Sequence, residues 1–95
     1  IEILDLLTLY PVDRKSIIDS VKKTGRCVVV QEAPRTCGYG AELIATINEQ
    51  ALLSLEAPVQ RVTGYDIPVP LPKLENYYIP DVTRINKAVE AVMSF

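Results

Sequence analysis

The sequence predicts an α/β domain, a three-layer α/β/α sandwich with a mainly parallel sheet. Three observations carry that reading. Short apolar, β-branched blocks alternate along the chain with longer amphipathic stretches, as in β-α-β units. Cys27-Val28-Val29-Val30 is continuously apolar, as a strand buried on both faces requires. The eleven residues from Glu32 to Glu42 then separate it from Leu43–Leu53, a run of helical length rich in helix formers. Those eleven residues are a strand-to-helix turn at the carboxyl edge of the sheet, where open α/β folds keep their ligands. The expected strands lie near residues 1–6, 26–31 and 59–63, all parallel, and the helices near 13–24, 39–54 and 81–93.

Ile1-Glu2-Ile3-Leu4-Asp5-Leu6 reads as a strand already under way, with no signal or transit character, and suggests a piece of a longer chain. Leu9–Asp13 closes that strand. Asp13 is a good N-cap, its carboxylate accepting from free N–H groups of the first turn. Ile17, Ile18 and Val21 give the buried stripe, while Arg14, Lys15, Asp19 and Lys22 face water. Lys22 and Lys23 suit the negative carboxyl end of the helix, and Gly25 is the expected stop.

The strand from Arg26 to Gln31 follows, then the turn. Pro34 pushes Ala33 toward extended geometry and keeps the next helix from starting early. Gly38 and Gly40 permit positive φ or the close approach of another backbone. Glu42 falls in the first helical turn, where a negative charge favours the macrodipole. Leu43, Ile44, Ile47, Ala51 and Leu55 form the inner face of this helix. Ala57-Pro58 launches the third strand, in which Arg61 is either a solvated strand-end residue or a bidentate partner for Glu32.

From Gly64 to Pro80 the composition changes. Four prolines (Pro68, Pro70, Pro72 and Pro80) and three tyrosines (Tyr65, Tyr77 and Tyr78) indicate extended chain laid over a surface, either its own domain or another subunit. Asp81 caps the last helix, with Val82, Ile85, Ala88, Val89 and Val92 spaced for one buried face.

Composition excludes several functions. A net charge of −2, with no basic cluster beyond Lys22-Lys23, gives no footprint for nucleic acid. No apolar run reaches the ~18 residues of a membrane span. Two cysteines, Cys27 and Cys37, are too few for a disulfide framework, and no histidine joins them in a metal site. Reduced thiols suit a cytoplasmic compartment, or the mitochondrial matrix in a eukaryote. Without histidine the commonest general base is missing. Gly38-Tyr39-Gly40-Ala41-Glu42 lacks the third small residue of a dinucleotide fingerprint, since Leu43 stands there, and no Gly-Lys-Ser or Gly-Lys-Thr offers a phosphate loop. The sheet-edge turn, with Glu32, Arg35, Gly38, Tyr39, Gly40, Glu42 and Arg61, is the candidate site that remains.

Three stretches together resemble a known family. Asp5-Leu6-Leu7-Thr8-Leu9-Tyr10-Pro11-Val12-Asp13 resembles the D-L-R-T-L-x-P-x-D segment of the beta subunits of thiamine-diphosphate-dependent 2-oxo acid dehydrogenases. Glu32-Ala33-Pro34-Arg35-Thr36 with Gly38-Tyr39-Gly40-Ala41-Glu42 resembles their E-A-P-x-T-G-G-F-G-A-E turn. Leu55-Glu56-Ala57-Pro58 and then Arg61-Val62-Thr63-Gly64-Tyr65-Asp66-Ile67-Pro68-Val69-Pro70 resemble their L-x-A-P-x-x-R-V-x-G-x-D-x-P-x-P. The departures are Leu7, where the family often has arginine, and Cys37, where glycine is common.

The resemblance places residues 1–95 in the family's C-terminal, transketolase-like domain, lacking its first strand and helix, with a missing strand lying between this chain's first two. It implies a complete enzyme that decarboxylates a 2-oxo acid on thiamine diphosphate with magnesium and passes the acyl group to lipoyl. The Glu-Ala-Pro turn and Gly64-Tyr65-Asp66-Ile67-Pro68 look more like the branched-chain type than the pyruvate type. No catalytic, cofactor-binding or metal residue is expected in this segment. The implied partners are the rest of the beta subunit, a second beta subunit, the alpha subunit and the acyltransferase's subunit-binding domain, with Asp66 and Phe95 as docking residues. Two other readings stand beside it: a free-standing small-molecule binding domain using the 38–42 turn, and the terminal domain of another transketolase-like enzyme.

Overall fold

The computed structural model describes all 95 residues, Ile1–Phe95. Helix α1 spans Arg14–Thr24. The Asp13 carboxylate accepts from the Ser16 amide at 3.0 Å and from its hydroxyl at 2.6 Å, so two donors hold the first turn. Gly25 ends the helix in the left-handed region (φ 71°), its N–H donating to the Val21 carbonyl at 2.8 Å. Ile17, Ile18 and Val21 are its buried stripe.

Strands β1 (Val28–Pro34) and β2 (Gln60–Gly64) run parallel, with Val28 opposite Gln60, Val29 opposite Arg61 and Val30 opposite Val62. An irregularity follows before Pro34 meets Gly64. Helix α2 (Tyr39–Ala51) makes the crossover, and its last turn tightens into a 3-10 turn over Leu52–Ser54. Helix α4 (Val82–Met93) closes the fold, capped by Asp81, whose carboxylate accepts from the Arg84 amide at 2.8 Å.

The core is built from α1, α2 and one face of β1: Ile17, Ile18, Val21, Val29, Leu43, Ile47 and Ala51. Helix α4 packs on both strands. Successive strand residues point to opposite faces, and Val62 and Thr63 are both buried, so β2 is covered on both sides. That is the expected α/β/α layering, and the expected parallel pairing of the strands near 26–31 and 59–63 is present.

Other expectations need correction. Residues 1–6 form no strand. A strand exists only where its N–H and C=O groups find a ladder, and the sheet consists of β1 and β2 alone. The segment is instead held by Lys23 Nζ on Glu2 at 2.7 Å, by Leu6 and Val12 on the core, and by the Tyr39 hydroxyl on the Leu9 carbonyl at 2.8 Å. Ile1, Ile3 and Leu7 are left facing water.

Strand β1 begins at Val28 rather than Arg26, and the Arg26 side chain reaches two other elements. Its Nε donates to the Val92 carbonyl at 2.9 Å and its guanidinium pairs with Glu56. In α4, Val82 is exposed, and Arg84 turns toward the sheet with Ile85, Ala88, Val89 and Val92.

The proline-rich stretch is anchored on its own domain at one point and exposed along the rest. Within it a short helix, α3 (Glu75–Tyr78), brings Tyr78 to 2% exposure against Gly64, where an added Cβ would sit 2.5 Å from the ring. Ile67, Val69, Leu71 and Tyr77 point outward. The chain exposes 6820 Å² in total. A compact monomer of 10.5 kDa exposes about 5,400 Å². These residues and the amino-terminal segment are both rich in exposed apolar side chains.

Candidate functional site

The turn from β1 into α2 is organised by Gln31, a residue that sequence reasoning did not single out. Its Oε1 accepts from the Gly40 amide at 2.6 Å, and its Nε2 donates to the Pro34 carbonyl at 3.1 Å. One side chain thus ties the end of the strand to the start of the helix. The two glycines serve close approach rather than positive φ. A Cβ on Gly38 would lie 2.1 Å from Gln31 Nε2 and 2.4 Å from the Pro34 carbonyl, and one on Gly40 would lie 2.8 Å from Gln31 Oε1. The left-handed position falls instead on Cys37, at φ 59°.

Two further clasps join this turn to β2 and to the residues just after it. Arg61 Nη1 donates to the Arg35 carbonyl at 3.1 Å, and Arg35 Nη1 returns a weaker bond to the Arg61 carbonyl at 3.4 Å. The proposed Arg61–Glu32 pair does not form, and the Glu32 carboxylate is exposed with no ion-pair partner. The Arg61 guanidinium instead bonds a backbone carbonyl already positioned by the turn, and an exposed ion pair with Glu32 would add little.

Asp66 accepts from the Thr36 hydroxyl at 2.5 Å and from the Thr36 amide at 2.9 Å. These bonds, the hydroxyl's first, hold its carboxyl below the ordinary aspartate range. Asp66 thus braces the turn from an exposed position. Glu42 is exposed in the first turn of α2, as expected of a charge favoured by the helix dipole.

Beside the clasps, Arg84 donates from Nη2 to the Thr63 carbonyl at 2.5 Å and from Nη1 to the Tyr78 carbonyl at 3.4 Å. Its guanidinium lies 4.7 Å from the centre of the Tyr65 ring, and Tyr65 meets Tyr78 edge to face at 6.5 Å. An arginine at an inner position of an amphipathic helix was the available sequence signal. For Gln31 the signal was an amide just ahead of two glycines.

The arrangement holds a turn shut; it does not assemble an acid–base or nucleophilic pair. Gln31 takes the amide of Gly40 that an anion at the α2 amino end would need. The Cys37 thiol is exposed, and the Cys27 thiol is half-buried and pushed up by desolvation. Phe95 is brought nowhere near the turn. It is 76% exposed at the opposite end of the molecule, on the rim of an open apolar groove of about 560 Å³ with Ile44, Leu52, Leu55 and Pro58.

Comparison with known proteins agrees with this architecture. The chain is 50% identical over 92 residues to the 2-oxoisovalerate dehydrogenase subunit beta of Pseudomonas aeruginosa, covering 97% of this chain and 26% of that protein. It is 47% identical over 94 residues to the mitochondrial 2-oxoisovalerate dehydrogenase subunit beta of Dictyostelium discoideum, covering 99% of this chain and 25% of that one. It is 46% identical over 95 residues to the pyruvate dehydrogenase E1 component subunit beta of Leifsonia xyli, covering 100% of this chain and 28% of that one. The chain thus spans about a quarter of the length of these relatives. The family described as transketolase, C-terminal domain, matches residues 1–85. With a parallel β-α-β unit layered between helices and that match over most of its length, the chain belongs to the transketolase C-terminal domain family.

Proposed function

We propose that residues 1–95 are an assembly and partner-docking domain of the beta subunit of a 2-oxo acid dehydrogenase. The observation that carries this reading is the pairing of an internally satisfied turn with broad exposed apolar surface. Ile67, Val69, Leu71 and Tyr77 stand out on one stretch, and Leu52, Met93 and Phe95 on another. Apolar surface of that extent marks sites of protein–protein contact. The partners proposed are the rest of the beta subunit, a second beta subunit, the alpha subunit and the acyltransferase's subunit-binding domain. The complete enzyme oxidatively decarboxylates a 2-oxo acid and passes the acyl group to lipoyl, in the cytoplasm or, in a eukaryote, the mitochondrial matrix. A branched-chain substrate is preferred over pyruvate on the Glu-Ala-Pro turn and Gly64-Tyr65-Asp66-Ile67-Pro68, relatives of both types being similar to the chain at 43–50% identity.

Thiamine diphosphate and magnesium belong, on this proposal, outside residues 1–95. A diphosphate-bound magnesium needs converging oxygen ligands. No three His, Cys, Asp or Glu side chains gather anywhere in the chain, and the Asp66 carboxylate is engaged by Thr36. The residues present do not fit that group.

The test uses the complete beta subunit with its alpha partner. Val69→Asp with Leu71→Asp, and separately Phe95→Ala, are compared with wild type by sedimentation and by binding of the acyltransferase's docking domain. The double substitution is expected to disrupt subunit assembly, and Phe95→Ala to weaken docking, with native circular dichroism in both. Unchanged assembly and unchanged docking in both variants would sink the proposal. Turnover of 2-oxoisovalerate against pyruvate by the wild-type enzyme decides the substrate.

A further inference from the structure

We draw no further inference here: the strongest candidate, the open apolar groove between the carboxyl ends of α2 and α4 lined by Ile44, Leu52, Leu55, Pro58 and Phe95, belongs to the docking face already proposed, and nothing in the structure shows what else covers it.

Discussion

The amide oxygen of Gln31 lies 2.6 Å from the backbone nitrogen of Gly40, so a β1 side chain caps helix α2. No serine, threonine or aspartate does this from the usual N-cap position, which Gly38 occupies without a side-chain bond. The cap is non-local in kind, although only nine residues separate the partners.

Gly40→Ala should therefore destabilise through Gln31. The new methyl meets Gln31 Oε1 at 2.8 Å and Val29 at 3.2 Å. Overpacking of this kind costs about 1–3 kcal/mol. Urea unfolding of Gly40→Ala, Gln31→Ala and the double variant forms a cycle. The double variant should lose less than the sum of the two singles. Strict additivity would show that the Gln31 clasp is not what Gly40 accommodates.

Cys37→Gly should stabilise. A non-glycine residue in the left-handed region costs about 1–2 kcal/mol, and Cys37 sits there at φ 59° with an exposed thiol. Glycine also loosens the unfolded chain, which offsets part of the gain. The net expectation is a rise of about 0.5–1 kcal/mol in denaturant unfolding free energy. A fall on substitution would mean that the thiol makes a contact worth more than the strain.

Asp66 should contribute to the acid limb of stability. Its folded pKa is lowered, chiefly by the Thr36 hydroxyl and then by the Thr36 amide. A depressed carboxyl contributes stability that is present above the unfolded aspartate value, about 3.9, and lost as pH falls through the folded value. Asp66→Asn should flatten the dependence of the unfolding midpoint on pH below about 4 and leave its slope above pH 6 unchanged. An acid limb identical to wild type would remove Asp66 from that role.

Arg84→Lys should loosen the proline-rich segment while sparing the core. Lysine keeps the charge but loses the fork that reaches the carbonyls of Thr63 and Tyr78 and the guanidinium that lies over Tyr65. Buried acceptors left without a donor cost about 1–3 kcal/mol. Hydrogen exchange should quicken around Tyr78 and Ile79, with the amides of Ile47 and Val21 keeping their protection. Equal loss at all four would indicate global destabilisation rather than local release.

The layers, the three long helices and the parallel pairing were legible because periodicity and caps are local. Asp13, Gly25 and Asp81 sit where their chemistry places them. Ile1–Leu6 has the composition of a strand, but composition cannot supply a ladder. The site was legible in outline only. Arg35 and Arg61 bond each other's carbonyls, Gly38 and Gly40 press on Gln31, and Tyr39 reaches the Leu9 carbonyl. Their partners are backbone carbonyls and Gln31, and a carbonyl looks the same at every position of a sequence. Asp66 reaches back 30 residues to Thr36, a separation that no local pattern encodes.

Helix α4 is fastened to the sheet layer at both ends, by Arg84 on the Thr63 carbonyl and by Arg26 on the Val92 carbonyl. Its inner face between and at these bonds carries Ile85, Ala88, Val89 and the buried Val92. A helix held at one end can peel away turn by turn from the other. Held at both, it has no free end from which unzipping can start. Its detachment is therefore expected to be cooperative, and its amides should exchange at similar rates rather than in a steep gradient from Met93 inward.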